Sequence, residues 1–204
     1  MKKLFAGVAA AALVLGGLLG SAVADDKQAA AVGEAAPAFT LKGVDGKEYT
    51  LEALKGKIVV LEWFNPDCPY VVKQYQKTTV MKDTYTHCKE KGAVWLAVAT
   101  GKTANNAERL QKAIDAWKIE YPVLLDSTGT VGHAYGARTT PHMYVIDAEG
   151  KLAYAGAIDN NKSADTKGDK NFVIEAVDAL AAGQEVETKT WQPYGCSVKY
   201  ASNK

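Results

Sequence analysis

Apolar runs and stretches of helical periodicity alternate along most of the chain. Runs rich in β-branched and aliphatic residues predict four buried strands. These strands are 57–63, 93–99, 121–125 and 143–146. Apolar residues spaced three or four positions apart predict helices between and after them. Three of these helices are 69–91, 130–135 and 171–182. A fourth helix follows Thr103, which is expected to cap it. Such alternation is typical of an α/β protein with helices packed on a sheet.

Turn residues add two hairpins to this pattern. Asp45-Gly46 separates short predicted strands at 37–41 and 48–51, and the turn at 147–150 joins the strand 143–146 to a partner at 151–155. After the last helix, residues 184–204 show little regular period. We therefore expect an α/β fold with an N-terminal β-hairpin extension, a central mixed sheet flanked by helices and an irregular C-terminal tail.

The first 24 residues have the pattern of a secretory signal peptide. Lys2 and Lys3 precede an apolar segment, 4–19, and Ala22-Val23-Ala24 forms a small-residue cleavage site. A membrane anchor is the alternative, but the apolar segment is short for a span and no basic flank follows it. We expect cleavage near Ala24–Asp25 and a periplasmic or secreted protein. Residues 25–204 then form one domain, with a core at about 33–182 and a tail at 183–204.

Charge and cysteine content narrow the function classes. The formal net charge is +1 and becomes −1 without Lys2 and Lys3 (+1 − 2 = −1), which gives no reason to expect nucleic acid or an anionic membrane as partner. The 3 cysteines are Cys68, Cys88 and Cys196, too few for a disulfide scaffold and odd in number. This cysteine usage favours redox chemistry over covalent cross-linking.

Cys68 is the leading candidate for a reactive thiol. It follows the turn Asn65-Pro66-Asp67 at the end of a buried strand and directly precedes Pro69, which suits the first position of a helix. A thiol at a helix start lies near unpaired N–H groups and the positive end of the helix dipole, which stabilise a thiolate. The alternative is a buried, inert cysteine.

Three other residues have both a functional and a structural interpretation. Pro141 directly precedes a strand, where a cis peptide at a tight turn or an ordinary trans proline would each fit. His142 follows it and either approaches Cys68 as a base or hydrogen-bond donor, or is turned away by strand alternation. Cys88 lies on an apolar helical face, which favours a buried structural thiol. No spacing matches a zinc or haem-attachment site.

Several motifs in this order resemble the thioredoxin fold, and more narrowly the redoxins of the alkyl hydroperoxide reductase/thiol-specific antioxidant type. They are the N-terminal hairpin, 63–68, 121–126, 135–136, Thr139-Thr140-Pro141 and 145–150. The segments 65–71, 156–160 and 193–200 look like a peroxiredoxin-like subgroup of secreted redoxins. The resemblance runs from about residue 33 to 180 and implies a thiol-dependent oxidoreductase without a cofactor.

The resemblance also assigns roles to individual residues. It implies that Cys68 is the nucleophile, that Pro141 is cis and packs against it, and that the backbone of Thr140 is free to pair with an extended substrate. Two departures separate this chain from better-known relatives. Val71 stands where thioredoxins have a second cysteine, and Asn65 and Pro141 stand where peroxiredoxins have Thr and Arg. Arg138 is close enough in sequence to replace that Arg, or is an ordinary surface cation.

Cys196 is the candidate second thiol. It follows the turn residues Pro193-Tyr194-Gly195, and a mobile tail would let it attack an oxidised Cys68 as a resolving thiol. A structural or free thiol is the alternative. The partners implied are a small peroxide or a protein disulfide as substrate, and an external thiol reductant or thioredoxin-like electron donor.

Two functions of other classes remain open at this point. Cys68, Cys196 and His142 would suit Cu(I) in a copper-handling relative on the same fold, because soft thiolates favour that ion. A chaperone-like or interaction domain without turnover is the other alternative.

Overall fold

The computed structural model describes residues 29–200 of the 204-residue chain. The predicted signal peptide, residues 1–24, lies outside the described residues, as do residues 201–204. None of the helices in the described part of the chain is long and apolar enough to cross a membrane.

A mixed sheet of five strands forms the centre of the protein. Its members are β3 (Val59–Trp63), β4 (Val94–Thr100), β5 (Val123–Asp126), β7 (Met143–Ile146) and β8 (Leu152–Gly156). In space the order is β5-β4-β3-β7-β8. The pairs β3–β4 and β4–β5 are parallel, whereas β3–β7 and β7–β8 are antiparallel. Every residue of β3 is buried, because this strand is central and covered on both faces.

Alternate residues of the sheet face two separate apolar clusters. One face packs against α2 (Val80–Glu90), α3 (Ala107–Trp117) and α5 (Phe172–Ala181). The other face packs against α4 (Thr130–Tyr135) and the hairpin of β1 (Thr40–Lys42) and β2 (Glu48–Thr50). The predicted α/β fold with an N-terminal β-hairpin and a mixed sheet flanked by helices is confirmed.

The single helix predicted over residues 69–91 is wrong. The segment divides into α1 (Pro69–Val72), a π-helical turn (Lys73–Lys77) and α2. The break comes at Thr78, whose backbone is extended and whose N–H and hydroxyl both donate to the Lys73 carbonyl, at 2.9 and 3.0 Å. A hydroxyl that satisfies a helix-end carbonyl stabilises the interruption. The start of α3 differs too, since Asn106 rather than Thr103 caps it.

The C-terminal tail is a docked segment rather than a mobile one. Residues Cys196–Ser197 form β9, which pairs antiparallel with the short strand β6 (Thr139–Thr140). On either side of this pair, Val198 N–H donates to the Arg138 carbonyl at 3.0 Å and Tyr194 is buried. Before it reaches β6, the tail also forms a parallel bridge between Thr190 and Ala155 of the edge strand β8, so its two pairings are too short to give a strand-like hydrophobic pattern.

A chain of buried polar contacts fixes the end of β3 to its neighbours. The Trp63 indole N–H donates to the Thr100 hydroxyl at 3.1 Å, and that hydroxyl donates to the Asp126 carboxylate at 3.0 Å. The carboxylate also accepts the backbone N–H of Gly132 at 2.8 Å, near the start of α4. Three strands and a helix are thereby held in register at the edge where Cys68 lies.

We expect Asp126→Ala to lower the free energy of unfolding by roughly 2–4 kcal/mol, because it leaves the buried Thr100 hydroxyl and helix N–H groups without an acceptor. Urea unfolding of the reduced protein measures this loss. Asp115→Ala, in an exposed pair with Gln111, is the matched control and should change the free energy of unfolding by less than about 0.5 kcal/mol. An Asp126→Ala variant as stable as this control would contradict the structural role.

Candidate active site

Cys68 lies at the junction between β3 and α1. The Asn65 side-chain oxygen accepts the Asp67 N–H at 3.0 Å, and the Asn65 carbonyl accepts the Cys68 N–H at 3.1 Å, so this turn is fixed by its own hydrogen bonds. Cys68 occupies the N-cap position of α1 without a capping hydrogen bond from its side chain, and Pro69 occupies the first turn as expected. Cys68 is only 1% exposed. The candidate nucleophile is therefore held beneath the surface.

The loop before β7 contacts this thiol directly. The Thr140–Pro141 peptide is cis, as the resemblance implied. The Cys68 thiol donates a hydrogen bond to the Thr140 carbonyl oxygen, with 2.9 Å between Sγ and O. Two segments 72 residues apart in sequence thus meet at the sulfur.

Cys196 reaches the same place from the C-terminal tail. In the β6–β9 pair Cys196 lies opposite Thr140, the residue whose carbonyl contacts Cys68. The two thiols lie near each other, and each shifts the pKa of the other. The expectation that the Thr140 backbone is free for a substrate is wrong, because β9 already pairs with it.

The surroundings of the two thiols shift their acidities in opposite directions. Burial raises the pKa of Cys68, but hydrogen bonds from the Cys196 thiol, the Thr140 side chain and the amides of Val71 and Cys196 outweigh it and leave this pKa below its ordinary value. Burial and the neighbouring Cys68 raise the pKa of Cys196 to about 11. Cys68 is thus the more acidic thiol of the pair and Cys196 the less acidic one.

A buried polar cluster ties the segment after Cys68 to the segment before Cys196. The fully buried Lys73 ammonium donates to the Asn161 carbonyl at 2.7 Å and lies 3.9 Å from the Asp159 carboxylate. The Tyr194 hydroxyl donates to the same carboxylate and accepts from the Gln74 amide at 3.0 Å. Burial lowers the pKa of Lys73, and the Asp159 charge opposes that shift. We call these five residues the Lys73 cluster.

Sequence reasoning missed the Lys73 cluster. The sequence does place Lys73 and Gln74 directly after the apolar pair Val71-Val72, in a segment predicted to be helical, but this alone did not indicate that they are buried. The π-helical turn that begins at Lys73 changes the direction of these side chains relative to a regular helix. Their burial therefore could not be read from a 3.6-residue period.

Glu62 was also missed. It is a fully buried carboxyl on the same face of β3 as Val60 and Phe64, which belong to the cluster that also contains Cys68. The hydroxyls of Tyr75 and Tyr121 donate to it at 2.8 and 3.2 Å. Burial outweighs these hydrogen bonds and raises its pKa to about 7. The sequence feature that could have revealed it is the presence of one acidic residue inside the apolar run of the central strand.

The remaining predicted residues lie away from the thiol pair. His142 faces the opposite side of the sheet, where its Nδ1 is 2.9 Å from the Tyr144 hydroxyl, and burial with the Arg138 charge lowers its pKa to about 3. This contact favours the alternative in which strand alternation turns His142 away from Cys68, since alternate residues of a strand point to opposite faces. Cys88 is buried, as expected, and burial next to Asp178 raises its pKa to about 12.

The copper site proposed as an alternative is not assembled. Its three ligands were Cys68, Cys196 and His142, and the histidine lies on the other face of the sheet. Across residues 29–200, no three His, Cys, Asp or Glu side chains come together in a way that would hold a metal ion.

A lone cysteine at the start of a helix, beside a cis-proline loop on a mixed sheet, defines a thiol site of the thioredoxin-like fold. Comparison with known proteins makes the class more specific. The model of the AhpC/TSA family matches residues 32–155, well over half of the chain. The chain therefore belongs to the AhpC/TSA family.

Individual relatives agree with this assignment. The thiol-disulfide oxidoreductase ResA of Bacillus subtilis is 30% identical over 138 residues, which cover 68% of this chain and 74% of ResA. A hypothetical protein of Sinorhizobium meliloti matches the structure with a TM-score of 0.75 at 25% identity, covering 86% of this chain and 98% of that one. The thioredoxin domain of a thiol-disulfide oxidoreductase from Bacteroides vulgatus matches with a TM-score of 0.52 at 28% identity, covering 61% and 87%. The protein is a thiol-dependent oxidoreductase of the redoxin class.

Glu62 makes the stability of the protein depend on pH. Its pKa is raised from 4.5 to about 7 in the folded state, so the folded protein holds a proton that the unfolded chain loses over this range. Stability should therefore fall as pH rises from about 4.5 to about 7. We expect this fall, on the order of 3 kcal/mol, to be absent in Glu62→Gln.

Denaturant unfolding of the reduced protein at a series of pH values measures the effect. Glu187→Gln, an exposed change, is the control and should retain the wild-type pH dependence. Parallel pH profiles for the wild type and Glu62→Gln would show that Glu62 does not carry this proton.

Proposed function

We propose that this protein is an exported thiol-dependent oxidoreductase in which Cys68 is the redox-active nucleophile and Cys196 its resolving partner. The observation that carries the proposal is the pairing of β9 with β6, which brings Cys196 opposite the residue that contacts Cys68. The lowered pKa of Cys68 and the raised pKa of Cys196 support the same division of roles.

The proposed reaction has two covalent steps. The Cys68 thiolate attacks an oxygen of a peroxide or a sulfur of a disulfide, and the O–O or S–S bond breaks as the leaving group takes a proton. Cys68 becomes a sulfenic acid or a mixed disulfide. Cys196 then loses its proton and attacks the Cys68 sulfur, so that a Cys68–Cys196 bond forms and water or a thiol leaves. An external dithiol, such as a thioredoxin-like electron donor, returns two electrons and reduces the bridge.

In this scheme Cys196 replaces the second cysteine that Val71 cannot supply. Thr140 and Pro141 act as positioning residues, because the carbonyl between them holds the Cys68 sulfur. The contacts of His142 favour a packing role beneath this loop, through Tyr144, over a role in proton transfer.

Export and the domain limits are proposals from the sequence. The basic residues, apolar segment and Ala22-Val23-Ala24 at the N-terminus support cleavage near Asp25, which leaves residues 25–204 as one redoxin domain. An oxidising compartment would favour a bridge between Cys68 and Cys196. Membership of a secreted, peroxiredoxin-like subgroup and an antioxidant role stay predictions from the motifs.

Mapping of thiols by mass spectrometry tests the pairing. After one equivalent of hydrogen peroxide or of oxidised glutathione, in separate reactions, the wild type should yield a peptide pair linked through Cys68 and Cys196. Cys68→Ser should give no bridge. Cys196→Ser should accumulate a sulfenic acid or a glutathione adduct at Cys68, because the resolving step is lost.

Cys88→Ser is the matched control, since Cys88 is buried and its pKa is raised. It should form the Cys68–Cys196 bridge as the wild type does. A bridge that requires Cys88, or an unmodified Cys68 with both oxidants, would contradict the proposed function.

A further inference from the structure

The C-terminal strand occupies a backbone edge beside the reactive thiol. Both residues of β6 pair with β9, and Val198 continues the contact by donating to the Arg138 carbonyl at 3.0 Å. Further along, Lys102 N–H donates to the Lys199 carbonyl at 2.9 Å. A backbone N–H or carbonyl that serves one strand is not available to a second strand at the same edge. A polypeptide that pairs with Thr140 must therefore first displace β9.

Gly195 permits this close approach of the two backbones. Its φ is +142°, in the range that favours glycine, and a Cβ at this position would overlap the Thr140 carbonyl oxygen. The same Cβ would lie 2.8 Å from the Thr140 carbonyl carbon. Because backbone atoms cannot move aside as a flexible side chain can, only glycine fits here without shifting the tail.

The Lys73 cluster holds the residue just before this contact. The Tyr194 hydroxyl is shared between the Asp159 carboxylate and the Gln74 amide, and its ring lies edge-on to Tyr70, 5.9 Å between centroids. The Lys73 ammonium also lies 5.1 Å from the centre of the Tyr194 ring. Release of the tail would expose or unpair these groups, which makes the docked state the favoured one.

We propose that β9 takes the place of a substrate strand and restricts Cys68 to small oxidants of the size of a hydroperoxide, excluding extended polypeptides. The inference rests on the proposed function, since it concerns which oxidant reaches the same thiol. Cys68 is 1% exposed whereas Cys196 is half-buried. In this proposal a rearrangement of the Cys196 side chain admits a small molecule to the Cys68 sulfur. A polypeptide can reach Cys68 only if the whole of β9 is displaced.

The proposed reaction at Cys68 is a two-electron oxidation of the thiolate by a hydroperoxide. The Cys68 thiolate attacks the hydroperoxide, an S–O bond forms, the O–O bond breaks, and the leaving oxygen takes a proton to become water or an alcohol. Cys68 is oxidised by two electrons and the peroxide is reduced by two. Cys196 then expels water from the sulfenic acid as the S–S bond forms. The reductant is an external dithiol.

Two oxidants of different size test this restriction. Hydrogen peroxide is the small probe, and an extended peptide of about ten residues with one cysteine as its 2-thiopyridyl disulfide is the large probe. The second-order rate constant for each is measured on the wild type and on Gly195→Ala. Gly195→Ala should raise the peptide rate at least about tenfold and change the peroxide rate by less than about threefold, because only the peptide needs the tail to open.

Gly183→Ala is the matched control. It also has a positive φ, +68°, but its Cβ would meet no atom within 4 Å, so both rates should equal those of the wild type. Circular dichroism checks that each variant is folded. Tyr194→Phe is the second variant, because it removes the hydroxyl contacts to Asp159 and Gln74 without adding atoms, and it should shift the rates in the same direction.

One result would overturn the inference while leaving Cys68 as the nucleophile. It is a peptide rate constant that stays at the wild-type value in every folded tail variant. If Cys68→Ser consumed both probes as the wild type does, the proposed function itself would fail.

Discussion

The antiparallel contact between β6 and β9 is the interaction on which the site depends. It is only two residue pairs long, yet one of its members, Thr140, also accepts the hydrogen bond of the Cys68 thiol. Without the tail, Cys68 would be a single thiol with Val71 where a second cysteine could stand. With the tail, the donor that lowers the pKa of Cys68 and the candidate resolving thiol come from the same residue, Cys196.

Such a short ladder is not stable by itself, and the buried polar groups around it explain why it forms. The Lys73 cluster ties the tail to the segment that follows Cys68 and to the loop around Asp159. A buried pair such as Lys73 and Asp159 contributes little net stability because of its desolvation cost, but breaking it is expensive. The cluster therefore specifies one position for Tyr194, and Gly195 then brings the backbone into contact with Thr140.

Much of the fold could be predicted from the sequence because local rules agree with the global arrangement. β3, β7 and α4 follow from apolar runs, helical periodicity and turn residues, and Cys68 followed from its place between a strand and Pro69. The break near Lys73 was missed because a π-helical turn leaves no period in the sequence. The docking of residues 184–200 was missed because it depends on a long-range strand pair and on buried polar groups. Neither can be predicted from the hydrophobic pattern of the sequence. For His142 the sequence left two alternatives open, and its contact with Tyr144 favours the one in which strand alternation turns it away from Cys68.

The most direct test of this account is an equilibrium titration with reduced and oxidised glutathione, followed by mass spectrometry of the quenched protein. We predict one two-electron transition in which the reduced protein converts to a form linked between Cys68 and Cys196, with glutathione adducts replacing that link only in Cys196→Ser. A wild type that carries stable glutathione on Cys68 at every oxidising ratio, and never forms the Cys68–Cys196 link, would contradict the claim that the tail supplies the second thiol.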